Sequence, residues 1–205
     1  MNDLWNAFAT QWSLTEKQLN QFKLYYDMLT SANELFNLTA ITELKSVLAY
    51  HFSDSLMLGL TQDMKAISCI GDVGTGAGFP AIPLKIKYPH LKIVLIEVTL
   101  KKITFLQQVT QKLELEDCYF ESIDWRTFLR KTDYNIDIFT ARASLQPEEL
   151  MRVFQPSSVY RDAQLVYWAA KDFKLDSKIE SFYSREYAYS VGSRKRKLIF
   201  FKSVQ

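Results

Sequence analysis

The 205-residue chain is short of the residues that bind metals, cross-link or break helices. Its two cysteines, Cys69 and Cys118, and two histidines, His51 and His90, stand at no tight spacing. That excludes a disulfide-stapled scaffold and gives no reason to expect a metal site. Both cysteines lie in apolar, strand-like stretches, which suits buried free thiols in a reducing cytoplasm. No basic segment followed by an apolar one opens the chain, so no signal peptide is expected. No apolar run reaches membrane-spanning length, so no membrane contact is expected either. Charge of one sign is also scarce: the formal net charge is +2. Any contact with nucleic acid must then come from local basic patches. Glycine is missing before Gly59 and proline before Pro80.

What is present builds one core. Hydrophobic residues make up 48% of the chain, enough for a single domain over 1–205. A helical extension over 1–65 is expected to pack on a core over 66–205. Thr15-Glu16-Lys17-Gln18 is a capping-box pattern, and Leu14 and Leu19 flank it at hydrophobic-staple spacing. Leu19, Phe22, Tyr26 and Leu29 then recur with helical period. A second helix is expected from near Thr42, carrying Leu44, Val47, Leu48 and Phe52. His51 and Asp54 fall three apart on it, on one face. That arrangement suits either a pair facing a ligand or a local hydrogen bond.

From residue 67 the rhythm alternates between strand and helix. Strands are expected over 67–73, 92–97, 118–120, 136–140 and 164–169, with helices from Gly78, over 100–113 and from Pro147. Two closely spaced strands, 186–191 and 197–201, read as an antiparallel pair. The pattern predicts an α/β, Rossmann-like fold: a mostly parallel, doubly wound sheet with an antiparallel C-terminal pair.

Four places carry chemistry. The run Asp72-Val73-Gly74-Thr75-Gly76-Ala77-Gly78-Phe79-Pro80 sits where the first strand hands over to the next helix. Glycines let the backbone approach a ligand, and a helix start at Gly78 offers unpaired N–H groups to a carboxylate or phosphate. Phe79 occupies the place where a dinucleotide fingerprint needs its third glycine, which argues against a nicotinamide enzyme. Glu97, ending the second strand, can accept from both hydroxyls of a ribose. Asp124 can accept from an adenine amino group while Trp125 covers the ring. Arg142, between Ala141 and Ala143 at the end of the fourth strand, can reach a phosphate, a base edge or a carboxylate. Arg194, Arg196 and Lys171, with His51, are candidates for contacting RNA, although a basic run near a hairpin is as often a solvated turn.

These pieces, in this order, resemble the GidB/RsmG family of bacterial 16S rRNA guanine-N7 methyltransferases. The resemblance rests on Phe36-Asn37-Leu38-Thr39-Ala40-Ile41, His51-x-x-Asp54-Ser55-Leu56, the glycine run with Ile82-Pro83-Leu84, Lys101-Lys102-x-x-Phe105-Leu106, Arg142-Ala143 and Arg196-Lys197-Leu198-Ile199. It implies S-adenosylmethionine as cofactor. Gly74, Thr75, Gly76, Gly78, Phe79, Glu97, Asp124, Trp125 and Arg142 would lie around that cofactor, with Arg142 positioning rather than titrating. It implies 16S rRNA or the small ribosomal subunit as partner, met by a monomer with no metal. Tyr50 stands where the family has Arg, Ala81 where it has Gly, Glu97-Val98-Thr99-Leu100 where it has Asp-Ser-Leu-Gly, and Trp125 where an acid is common. Three alternatives stay open at this point. They are a nicotinamide oxidoreductase, a methyltransferase of another substrate, and a non-catalytic RNA-binding relative.

Overall fold

The computed structural model describes residues 2–204, the side chains of Leu35 and Phe36 excepted. Phe36 of the 36–41 motif thus lies outside the described side chains. The glycine-free N-terminal segment forms α1 (Asn2–Gln11) and α2 (Glu16–Phe36). The capping box forms as expected: Thr15 Oγ1 accepts from the Gln18 N–H, and Gln18 Oε1 accepts from the Thr15 N–H.

The helix expected from Thr42 is broken. α3 (Leu44–Val47) runs into a π-helical turn, Leu48–Ser53, then α4 (Asp54–Leu56) and a 3-10 turn, Met57–Leu60. The Asp54 N–H reaches back to Ala49 O, five residues away. A π turn holds more residues per turn than an α-helix, so residues three apart are rotated away from each other. The side chains of His51 and Asp54 do not bond to one another, although the Asp54 N–H also reaches His51 O; each side chain reaches a different nitrogen of Arg142.

Strand and helix then alternate: β1 (Cys69–Val73), α5 (Ala81–Lys87), β2 (Lys92–Ile96), α6 (Leu100–Lys112), β3 (Cys118–Glu121), α7 (Trp125–Lys131), β4 (Ile138–Arg142), α8 (Pro147–Leu150), β5 (Gln164–Ala170), β6 (Tyr183–Val191) and β7 (Arg194–Phe201). They form a seven-stranded sheet in the order β3-β2-β1-β4-β5-β7-β6. The five strands from β3 to β5 are parallel, and β7 runs antiparallel to both β5 and β6. This is the mostly parallel sheet with an antiparallel C-terminal pair that the sequence predicts.

Three local expectations need correction. The helix after the glycines starts at Ala81, not Gly78, because the Thr75 carbonyl draws the Gly78 and Phe79 N–H groups into a turn first. Pro80 has no N–H, and the Ala81 N–H lies 3.4 Å from Asp72 Oδ2, so no open row of helix donors faces a ligand here. The third correction concerns 194–197, which lies inside β7 rather than in a solvated turn.

The strands read as continuous apolar runs because both faces of the sheet are covered. Ile93, Leu95, Leu198 and Phe200 point to the layer of α1, α2 and the π turn. Val94, Ile96, Ile199 and Phe201 point to the layer holding Trp125, Phe128 and Phe154. Polar side chains also tie the N-terminal helices to the sheet layer. Gln18 Nε2 donates to the carbonyls of Ile86 and Lys87 at the end of α5, and Gln21 Nε2 donates to Leu113 O after α6. These carbonyls would otherwise be unpaired at helix C-termini. Both cysteines are free, and burial pushes each thiol up to about 11. Among the described residues no helix is long and apolar enough to cross a membrane.

Candidate functional site

The strand order reverses between β1 and β4, so the crevice beyond their carboxyl ends is the natural ligand site of such a sheet. Two adjoining cavities open there, of about 730 Å³ and about 560 Å³. They share Gly74, Lys102 and Ala143. Gly74 follows β1, and Ala143 follows β4 with φ at 53°. The two strand ends thus meet at the neck joining the cavities.

Gly74 has φ at 65°, and a Cβ there would come within 2.5 Å of Ser144 Cβ. Only glycine permits both the left-handed turn and the close approach. The turn is anchored from below by Asp72, which is fully buried. Its carboxylate accepts from Thr75 Oγ1 at 2.6 Å and Thr140 Oγ1 at 2.8 Å. Burial raises its pKa to about 6 against the opposing pull of those hydroxyls.

The smaller cavity is lined by Ile96, Glu97, Asp124, Trp125 and Ser144 among others. Glu97 is buried rather than solvated. One oxygen accepts from the Thr99 N–H at 2.9 Å; the other lies 3.2 Å from the Gly76 N and 3.5 Å from Lys102 Nζ. The three contacts leave one lone-pair site on the oxygen that accepts from Thr99, and the two contacts on the other oxygen are long. Ser144 Oγ is buried with no hydrogen-bond partner among the described residues, a polar atom left for a ligand. Asp124 is the N-cap of α7, accepting from both the N–H and the hydroxyl of Thr127. Trp125 is a floor rather than a lid. It packs edge-on against Phe139, and its indole N–H donates to Glu149 O.

The larger cavity is organised around Arg142. One guanidinium nitrogen donates to Asp54 Oδ2 at 3.1 Å and to Tyr50 O at 3.2 Å, and the other lies 3.4 Å from His51 Nδ1. Its charge also sits 4.9 Å from the centre of the Phe79 ring, on which His51 stacks at 4.5 Å. Asp54 is 1% exposed and is the hub of this cluster. Tyr189 donates to its Oδ1 at 2.6 Å, and Trp168 donates to its backbone carbonyl at 2.9 Å. Arg196 Nε stands 3.1 Å from Oδ1, but its N–H is not aimed at that oxygen, so the contact is an ion pair rather than a hydrogen bond. The tyrosine hydroxyl already holds that acceptor.

His51 is kept neutral. Burial, then the charges of Arg142 and Arg194, lower its pKa from 6.5 to about 3. The remaining ring nitrogen lies 2.8 Å from the Thr39 hydroxyl. Because the unfolded chain takes up this proton below about pH 6.5 and the folded one does not, the His51 contribution is complete above 6.5 and is lost as pH falls toward 3. Asp72 works in the opposite sense below 6, so the informative quantity is a difference. Parent protein is expected to lose at least ~1 kcal/mol more than His51→Gln on acidification through this window, measured by urea unfolding. Equal losses would mean that His51 is protonated in the fold.

The family model of GidB, described as rRNA small subunit methyltransferase G, matches residues 18–187. The chain belongs to the GidB family. A Bacillus licheniformis relative, ribosomal RNA small subunit methyltransferase G, is 39% identical over 82% of this chain and 70% of its own length. The Bacillus subtilis protein of the same name is 45% identical over 64% of this chain. That match spans only 56% of the Bacillus subtilis protein. Among solved structures, a ribosomal protein L11 methylase from Lactobacillus delbrueckii has a TM-score of 0.53 at 18% identity, over 74% of this chain and 78% of that one. At that identity it speaks for the fold alone.

In this GidB-family chain the sequence-predicted residues separate into two groups. Gly74, Glu97, Asp124 and Trp125 meet at the smaller cavity. His51, Thr75, Gly76, Phe79, Arg142, Arg194 and Arg196 meet at the larger one. Gly78 lines neither; its Cα faces Ile82 and Tyr25. Lys171 is exposed just beyond Ala170, its N–H bonded to Lys195 O. Sequence reasoning missed the hub role of Asp54, the neck residue Lys102, the orphan Ser144 hydroxyl and the Asp72 anchor. Asp54 and Lys102 stood inside the quoted motifs, but nothing local signals Tyr189, 135 residues from Asp54.

Proposed function

We propose that this chain binds S-adenosylmethionine in the smaller cavity and transfers its methyl group to N7 of a guanine of 16S rRNA that enters the larger one. The observation carrying this reading is the neck at Gly74, where the cavity holding Glu97 and Trp125 opens into the one holding Arg142, with no side chain at residue 74 itself. The residues fit the cofactor. Glu97 offers a carboxylate to the ribose, Ser144 offers an unpartnered hydroxyl, and Ile96 and Trp125 give apolar surface to the adenine. When bound, the cofactor supplies an activated methyl on a sulfonium.

Guanine N7 has an exposed lone pair and needs no deprotonation. The residues of the larger cavity suit that economy. His51 is neutral and bonded at both nitrogens, and Asp54 is locked between cations. Their role is to fix Arg142 and Phe79 beside the neck, holding the base in line and excluding water. Orientation of this kind is worth roughly 7–11 kcal/mol. His51 and Arg196 are engaged inside the cluster, which favours positioning roles, whereas Lys171 and Arg194 are exposed and suit phosphates. The chain acts in this reading as one unit, because the N-terminal turn supplies one wall of the substrate cavity. We place its work in the cytoplasm, as a monomer.

The test is methyl transfer from labelled S-adenosylmethionine to small ribosomal subunits from cells lacking this protein, with mapping of the product. A single N7-methylated loop guanine is expected. Arg142→Lys should lower kcat about 100-fold, since lysine cannot bond Asp54 and Tyr50 while facing Phe79. Labelling elsewhere, or none with cofactor binding intact, overturns the substrate assignment.

A further inference from the structure

The cations of the larger cavity are not equivalent. Arg142 and Arg196 face Asp54, and Lys102 faces Glu97. Among the described residues Arg194 enters no ion pair. Its guanidinium lies instead 4.0 Å from the centre of the Tyr50 ring. An aromatic face attracts a cation and orients it without neutralising it. The charge therefore stays available to an outside anion.

Tyr50 also holds the backbone that carries Arg194. Its hydroxyl lies 3.0 Å from Ser193 Oγ and 3.4 Å from the Ser193 N, at the tip of the β6–β7 hairpin. Gly192 has φ at 54°, and a Cβ there would come within 2.9 Å of the Tyr50 ring. The tip thus closes on the ring because residue 192 lacks a side chain. Tyr50 itself is fixed from behind, since its carbonyl accepts from Arg142. One residue of the π turn thus joins the Arg142 cluster to the hairpin tip.

We propose that Tyr50 is a positioning residue for RNA: it latches the hairpin tip and aims the unpaired Arg194 at a phosphate flanking the base in the larger cavity. The proposal rests on the reading above and deepens it. It turns the tyrosine from an absent cation into the seat of one supplied by β7.

The experiment measures equilibrium binding of the full chain to small ribosomal subunits lacking the methyl group, over a series of salt concentrations. Arg194→Gln should weaken binding about tenfold, as expected for one charge-assisted hydrogen bond, and lower the slope of log K against log salt by about 1. Tyr50→Leu should reproduce most of both changes, and Tyr50→Phe, which keeps the ring, should retain most of the slope. The double variant Tyr50→Leu/Arg194→Gln should bind no more weakly than Arg194→Gln alone. Thermal melts matching the parent exclude general loss of fold. Independent, multiplying losses overturn the proposal. So does a Tyr50→Leu loss with an unchanged salt slope, which would make Tyr50 a stacking contact with the base. If the parent protein does not bind the subunits at all, it is the ribosomal reading that fails, and the proposal falls with it.

Discussion

Asp54→Asn is expected to unfold about 10 °C below the parent protein, a loss of ~3–5 kcal/mol. The carboxylate is 1% exposed, and two guanidinium groups and a tyrosine hydroxyl converge on it. Such a cluster is weak evidence of net stability, because bringing the charges out of water is costly. Removing one partner is different, since the other charges stay buried without compensation. Burial already lowers the Arg142 pKa, with Asp54 as the largest opposing influence. Asparagine preserves the shape and one acceptor but not the charge. Tyr189→Phe is the internal comparison, removing one hydrogen bond to the same carboxylate at a cost of ~1.5–3 kcal/mol. Thermal denaturation of the three proteins decides the matter. If Asp54→Asn melts no lower than Tyr189→Phe, the two arginines do not depend on this carboxylate.

Gly74→Ala is expected to weaken S-adenosylmethionine binding by at least about 100-fold, or ~2.7 kcal/mol, while leaving the sheet intact. Two effects add. A non-glycine residue at φ of 65° is strained, and the new methyl would stand 2.5 Å from Ser144 Cβ. Relief requires the β1 or β4 loop to move, and both line the neck of the cavities. Gly76→Ala separates the two effects. Its φ is 62°, but a Cβ there meets nothing closer than Gly74 O at 3.9 Å. It should show the backbone strain alone, ~1–2 kcal/mol. Calorimetric titration with the cofactor, alongside circular dichroism, reads both. Equal losses at the two glycines would mean that the close approach to Ser144 does not shape the site.

The comparison of sequence with structure divides along the range of the interactions involved. Most of what depends on neighbours in the chain was legible. The capping box at Thr15 and Gln18 formed as written. The apolar runs became buried parallel strands, and the close spacing of the last two became an antiparallel pair. The glycine run fell at the strand-to-helix handover beside the switch point. Local geometry was less certain where side chains compete for backbone groups. The Thr75 carbonyl drew the Gly78 and Phe79 N–H groups into a turn and moved the helix start to Ala81. His51 and Asp54 do face one cavity, but across the π turn their side chains meet on Arg142 rather than on each other, which a purely helical spacing could not foretell.

The sequence by itself therefore determined the α/β class, the strand set, the glycine turn and most of the residues that gather at the two cavities. Only the tertiary structure decided which partner each charged residue takes. Arg142, Tyr189 and Arg196 reach Asp54 from three strands far along the chain, and Arg194, in no ion pair among the described residues, finds Tyr50 rather than a carboxylate. The physical reason is that periodicity encodes which face of an element is apolar. The pairing of buried charges depends on which elements come within a few ångströms once the sheet has closed.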